Sequence, residues 1–328
     1  SRNVPQACGR HSAVAGAALL MSENTDKYIR PYSEDRIERP MKLKAYAKIN
    51  LTLDVTGRRE DGYHTLDTVM QTISVWDEVE IKKINKPGIR LFCNREYLPV
   101  DTKNTAFRAA QYFFEHCGIT GQGLAINLRK YVPSRAGMGG GSADAAAVLH
   151  GLNQMFKTNL PLETLVTLGA RVGADVPFCV VGGTCRCQGI GEQVQKVSPL
   201  PDCWLVVCKP PAGMSTPRAY ALIDQFPISR IQATEKMVSL LSGGDLRRIG
   251  EAVANRFDET MKLQQVREIK RAMQNAGAFG SSMTGSGSAV FGIFDSEGAA
   301  QACMQQLEGK GRLYLARPLP YSWEHADK

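Results

Sequence analysis

The chain has no Gly-x-x-x-x-Gly-Lys-Ser/Thr loop, and its densest glycine stretch misses the Gly-x-Gly-x-x-Gly spacing at every register. The two commonest nucleotide-binding folds are therefore excluded. No apolar run approaches the length of a membrane span, so no membrane partner is expected. There is no block of like charge either: the net +8 comes from 40 basic and 32 acidic residues scattered along 328 positions. Such a balance suits an anionic small molecule as well as a nucleic acid. Cys185-Arg-Cys187 is spaced too tightly for a zinc knuckle and has no second pair, which argues against a metal centre there. The nine cysteines are odd in number and lie mostly in apolar segments; they read as reduced and buried, in a cytoplasmic protein.

What the chain does have is the stretch from Val132 to Leu149, with Gly137, Gly139, Gly140 and Gly141 inside it. Leu124, Ile126 and Leu128 alternate with polar or small residues before it, the period of a strand. Ala145, Leu149, Leu152 and Phe156 follow at helical spacing, with Ser142 placed as N-cap. A flexible turn alone would explain the glycines. Each one placed in a regular element costs about 1 kcal/mol, however, and a mere turn needs no such cost. Bare backbone running into a helix start makes an anion cradle, and phosphate binding is the stronger reading.

Around that stretch the pattern predicts an α+β protein. Residues 1–40 lack a sustained period and read as a leader, disordered or artificially appended, 41–198 and 199–322 as two domains, and 323–328 as a tail. The domain junction falls at the composition shift of Val197–Asp202. From Met41, Leu43 to Val55 alternate with Lys42, Lys44, Tyr46, Lys48, Asn50 and Thr52 in a long strand. Lys48 and Asn50 point the same way, although a row of lysines also suits a solvated edge. Gly57–His64 reads as a polar turn and His64, taken alone, as a surface residue. Strands are predicted at 66–75 and 77–84, a helix over 101–117, and another from Pro161 to near Gly173. Asp175 then stands at a helix-to-strand turn before the apolar run Phe178–Val181, as a cleft carboxylate or an Asx-turn group. In the second domain the strand Trp204–Cys208 precedes a helix capped by Ser215 or Thr216. Helices are predicted at 233–242, 246–255, 264–276 and 297–307, a flexible loop over 280–287, and strands at 288–294 and 312–317.

Taken together, Ala47-Lys-Ile-Asn-Leu51, Asp61-Gly-Tyr-His64, Pro133 to Ala147, Gly173-Ala-Asp-Val-Pro177, Ser215-Thr-Pro217 and Thr284-Gly-Ser-Gly287 form a recognisable order. It resembles the galactokinase, homoserine kinase, mevalonate kinase and phosphomevalonate kinase (GHMP) superfamily. Within it, the chain is most similar to the kinases that act on a cytidine-diphosphate-linked methylerythritol. The resemblance covers residues 41–320. It implies an N-terminal nucleotide-binding α/β domain, a C-terminal ferredoxin-like α+β domain, and ATP with Mg2+ as cofactors. By motif match Asp175 is the general base and Lys48 its neighbour, a pairing that suits proton removal from a hydroxyl. The resemblance places Asn104, Lys130, Pro133, Gly137, Gly139, Gly140, Gly141 and Ser142 at ATP. It places Asn50 and Thr216 at the acceptor, and sets Tyr63 and Tyr220 on either side of a cytosine with His64 at its edge. Ser142 is the candidate metal ligand. Where many relatives carry Ser-Ser-Asn, this chain has Ser142-Ala143-Asp144, which removes a hydroxyl and adds a negative charge. The implied partner is a small-molecule substrate, with no nucleic acid, and the chain is expected as a monomer or homodimer. Two other readings stay open: a sister kinase for a different small alcohol, and an RNA-binding module, which would need a dense basic stripe.

Overall fold

A computed structural model describes residues 39–211, 213, 215–227 and 233–326; most of the expected leader lies outside the described residues. The alternation from Met41 produces an 18-residue strand, β1 (Met41–Arg58), whose Leu43, Ala45, Ala47, Ile49 and Leu51 are fully buried. Its polar face closes as well, since Tyr46, Lys48, Asn50 and Thr52 are all buried. The lysine row therefore does not solvate an edge at Lys48.

β1 pairs antiparallel with β2 (His64–Ile84), one continuous 21-residue strand where two were expected. No Gly or Pro separates the two halves, and bulges in the β1 register bend the ribbon without breaking it. The sheet continues through β4 (Gly123–Arg129) to β3 (Gly88–Cys93), and β5 (Thr184–Gly189) with β6 (Gln193–Lys196) branches from β2. Two late segments return to β1: β8 (Ala254–Asn255) in parallel and β12 (Trp323–His325) antiparallel. Residues 323–325, expected within a tail, are thus a strand of the first sheet. Helices α1 (Thr105–Cys117), α2 (Gly140–Met155), α3 (Leu162–Val172) and α4 (Val176–Val181) pack with this sheet around Leu43, Val79, Ile81, Phe113, Leu124 and Leu149.

The second sheet is four-stranded, in the order β11 (Arg312–Ala316), β7 (Trp204–Lys209), β10 (Val290–Phe294) and β9 (Gly280–Met283), all antiparallel. Its helices are α5 (Thr216–Ile223), α6 (Ala233–Gly243), α7 (Leu246–Glu251), α8 (Arg256–Met261), α9 (Gln264–Asn275) and α10 (Glu297–Gln306). The sheets share a core in which Ala47, Ile49 and Leu51 of β1 meet Leu205, Val207, Phe291 and Ile293. Further along β1, Leu53 and Val55 enter a third core with Val206, Val290, Phe257 and Met273. The mixed α+β content is what the sequence predicts.

Four local expectations are corrected. The run Phe178–Val181 is helix α4, not strand; a four-residue apolar run has no readable period, and Pro177 suits a first helical turn. The expected loop at 280–287 begins as the buried strand β9. Its small residues are required there, because a Cβ on Gly280 would lie 1.8 Å from the Gly250 carbonyl oxygen. The helix expected at 246–255 stops at Glu251, giving way to β8 and then α8. Finally, α2 is capped by Gly139 at φ 67°, so Ser142 lies inside its first turn.

Candidate active site

The centre of the site is a charge pair from two distant elements. Lys48 on β1 places Nζ 3.3 Å from Oδ2 of Asp175, the residue that opens α4. The lysine side chain is 3% exposed and the aspartate 34%, so the cation is buried behind a carboxylate that reaches solvent. The same Nζ donates to Asn50 Oδ1 at 2.8 Å, which fixes the ammonium from the rear.

The glycine-rich loop lies directly against this pair. Lys48 N–H donates to the Met138 carbonyl at 3.0 Å. A Cβ on Gly139 would stand 3.0 Å from Lys48 Cγ, so the lysine stem occupies the space of the missing side chain. The first bond within α2 runs from Ala143 N–H to the Gly139 carbonyl. The N–H groups of Gly140, Gly141 and Ser142 precede it, and together with the helix dipole they make a site for anionic oxygens. Pro133 is half-buried at the loop's entrance.

A second loop, Thr284–Gly287, supports the first. The Thr284 hydroxyl lies 3.2 Å from both the Gly137 carbonyl and Asn50 Oδ1, and it accepts the Asn50 N–H at 3.0 Å. Asn50 Oδ1 also accepts from Gly285 N–H at 3.0 Å, while Asn50 Nδ2 donates to Thr68 at 2.9 Å. Asn50 is thus a buried hub tying Lys48 to the second loop, whose Thr284 in turn reaches the Gly137 carbonyl of the first. The structure does not place it on an open acceptor surface. Thr216 does stand exposed, at the start of α5, with its hydroxyl 2.9 Å from that of Ser286.

The three aromatic residues do not all converge. The His64 and Tyr220 rings are stacked with centroids 4.6 Å apart, and Tyr220 meets Phe257 edge-on. Burial, with the Asp175 charge second, pushes the Tyr220 phenol up to about 12. His64 Nε2 is 2.6 Å from Asp224 Oδ1, and that bond holds the Asp224 carboxyl below the usual carboxylate range. Tyr63, at 62% exposure, projects from the β1–β2 turn.

Two residues expected at ATP are engaged by protein groups. Asn104 caps α1, accepting from Ala106 N–H at 2.9 Å and donating to the Pro99 carbonyl at 2.8 Å. Lys130 Nζ is buried between the carboxylates of Asp77 and Asp144. Burial alone would lower its pKa, but the two carboxylates outweigh that and raise it. The charge on Asp144 therefore faces inward onto Lys130 and away from the phosphate face. Asp77 and Asp224 carried no motif in the sequence; each is defined only by a partner far along the chain.

Comparison with known proteins assigns the chain to a family. The family profile for the GHMP kinases N terminal domain matches residues 104–183, and that for GHMP kinases C terminal matches 237–313. The class so defined is that of the GHMP kinases, ATP-using enzymes for small molecules. The chain is 43% identical over 272 residues to the 4-diphosphocytidyl-2-C-methyl-D-erythritol kinase of Clostridium botulinum (strain Eklund 17B / Type B), spanning 82% of this chain and 96% of the relative. The enzyme of the same name from Caldicellulosiruptor bescii is 42% identical over 270 residues, 82% of this chain and 94% of the relative. A crystal structure of 4-(cytidine 5'-diphospho)-2C-methyl-D-erythritol kinase superposes with a TM-score of 0.72 at 31% identity, covering 85% of this chain and 99% of that one. Homoserine kinase from Cytophaga hutchinsonii shares the fold, with a TM-score of 0.71 at 21% identity over 90% of this chain and 99% of that one. The chain belongs to the 4-diphosphocytidyl-2-C-methyl-D-erythritol kinase family.

Proposed function

We propose that this protein transfers the γ-phosphoryl group of ATP to the 2-hydroxyl of 4-diphosphocytidyl-2-C-methyl-D-erythritol, a step in isoprenoid precursor synthesis. The observation that carries the reading is the Lys48–Asp175 pair at 3.3 Å, set against the glycine loop. Asp175 accepts the hydroxyl proton as the oxygen–phosphorus bond forms and the bond to the leaving ADP oxygen breaks. Lys48 holds a positive charge beside the reacting oxygens without losing contact with Asn50. The N–H groups at the start of α2 hold the phosphates and take up charge that develops on them.

Among the described residues no cluster of three metal-ligating side chains occurs. Mg2+ needs none, because it keeps waters and shares phosphate oxygens with one or two protein groups. The Ser142 hydroxyl, in the first turn of α2, fits that donor chemistry and would hold the ion. Bound there, Mg2+ neutralises phosphate charge.

To the acceptor side we assign exposed Thr216 and the His64–Tyr220 stack, with Tyr63, exposed on its turn, covering a pyrimidine from solvent. The test is ADP release over a panel of acceptors. Turnover is expected with the cytidylated methylerythritol and not with homoserine or mevalonate; the reverse pattern would overturn the assignment.

A further inference from the structure

The charged cluster beneath the glycine loop is unexplained by the chemistry above. Asp77, Lys130 and Asp144 are exposed by 0%, 4% and 2%, and they come from β2, the end of β4 and the first turns of α2. Burying two carboxylates around one ammonium is a costly way to fill a core, since apolar side chains of the same volume serve stability as well or better. What the cluster does supply is connectivity. Asp77 Oδ1 accepts the N–H groups of Tyr131 and Val132, at 2.6 and 2.8 Å, at the point where the chain leaves β4 and enters the loop. Asp77 Oδ2 and Asp144 Oδ2 both take the Lys130 ammonium, the second from the helix into which the loop runs.

Two details show how closely the loop is seated on this bridge. A Cβ on Gly140 would lie 3.3 Å from Asp77 Oδ2 and 3.1 Å from Val132 Cγ1, so bare backbone crosses directly above it. Asp144 Oδ1 is buried without a hydrogen-bond partner. The Asp144 carboxylate is therefore located through its other oxygen, by Lys130.

We propose that Asp77, Lys130 and Asp144 form a clamp that fixes the two ends of the phosphate loop relative to one another. They are positioning residues for the nucleotide and do not touch it. The inference rests on the loop being the ATP-phosphate site. Its physical content is that phosphate-binding N–H groups work only when held at a set spacing, and a displacement of about 1 Å can cost two orders of magnitude in rate.

The test uses the full chain and the double variant Lys130→Met/Asp144→Asn, which removes the bridge and one of the charges that would be left unpaired. Amide hydrogen exchange over 132–141 is expected to speed up by about tenfold or more, with the second sheet unchanged. The KM for ATP is expected to rise by about tenfold or more while the acceptor KM stays within about twofold. Lys130→Arg, which keeps the cation between the carboxylates, is expected to recover most of that loss relative to the double variant. A folded double variant with unaltered exchange over 132–141 and unaltered ATP KM overturns the clamp. So does a parallel rise in both KM values, which marks general loosening. Should the double variant not fold, Asp144→Asn alone opens the helix side of the clamp and is read in the same way. Absence of ADP release from the unaltered chain with every acceptor counts against the kinase reading instead, and the exchange contrast still decides the clamp.

Discussion

In the proposed mechanism Asp175 and Lys48 divide one proton transfer between an accessible carboxylate and a buried cation, and their burial sets what each substitution should do. Asp175→Asn keeps the shape and removes the proton acceptor. Turnover is expected to fall by about 10²- to 10⁴-fold with ATP binding retained, measured by ADP release beside an ATP titration. Near-normal turnover would take Asp175 out of the base role. At Asp224 the expected effect is on binding. Asp224→Asn weakens the 2.6 Å contact that orients His64 against Tyr220. The acceptor KM should rise several-fold with the ATP KM unchanged, and equal rises in both would detach Asp224 from the acceptor side. These residues were unevenly legible. Asp175, Lys48 and His64 sit in short motifs and were found through the resemblance those motifs carry. Asp224 and Asp77 have ordinary neighbours, and their importance lies in contacts across the fold that no local spacing encodes. Asn50 shows the intermediate case: its direction, the same as Lys48, follows from strand alternation, whereas the donors it meets from Thr284 and Gly285 do not.

The glycine loop is the element on which the site is built, and its glycines are not equivalent. Gly137 has φ 75°, and a Cβ there would lie 2.0 Å from the Thr284 carbonyl oxygen, inside the contact between the two loops. Gly118, which ends α1 at φ 63°, has nothing within 4 Å of its Cβ position. Both substitutions to Ala carry the left-handed backbone cost of about 1–2 kcal/mol. Only Gly137→Ala must also push two loops apart. It should lower the melting temperature more than Gly118→Ala and raise the ATP KM, while Gly118→Ala leaves the ATP KM alone. Equal effects of the two on ATP would mean that the loop contact does not serve the nucleotide. The strand and helix flanking the loop were readable because their periods run for several turns. The helix start and the β9 strand were not, since glycine and serine carry no hydrophobic pattern, and backbone packing rather than side-chain chemistry decides their conformation.

At the scale of the molecule β1 passes through three cores in turn, and β12 returns the end of the described chain to its side. His150 locks that return. Its Nε2 donates to the Val180 carbonyl of α4 at 2.9 Å, and its ring stacks on Trp323 of β12 at 5.0 Å. Burial lowers the His150 pKa below its ordinary 6.5, so on acidification the unfolded chain takes up a proton that the folded chain resists. The stability linked to His150 is complete above 6.5 and drains away as the pH falls below it. Asp144 acts in the opposite sense. Burial pushes it up from 3.8 to about 7, with Asp77 adding to the shift and Lys130 opposing it. Between those values the folded chain holds a proton that the unfolded chain has released, and stability rises as the pH falls. Just below 6.5 the two slopes oppose each other, each at most about 1.4 kcal/mol per pH unit for one proton. The unaltered protein should therefore show a shallow pH dependence there, and each variant should expose the partner's slope. Denaturant unfolding on either side of pH 6.5 is expected to show His150→Gln gaining stability on acidification and Asp144→Asn losing it. Parallel curves for all three proteins would mean that neither group changes its proton affinity on folding.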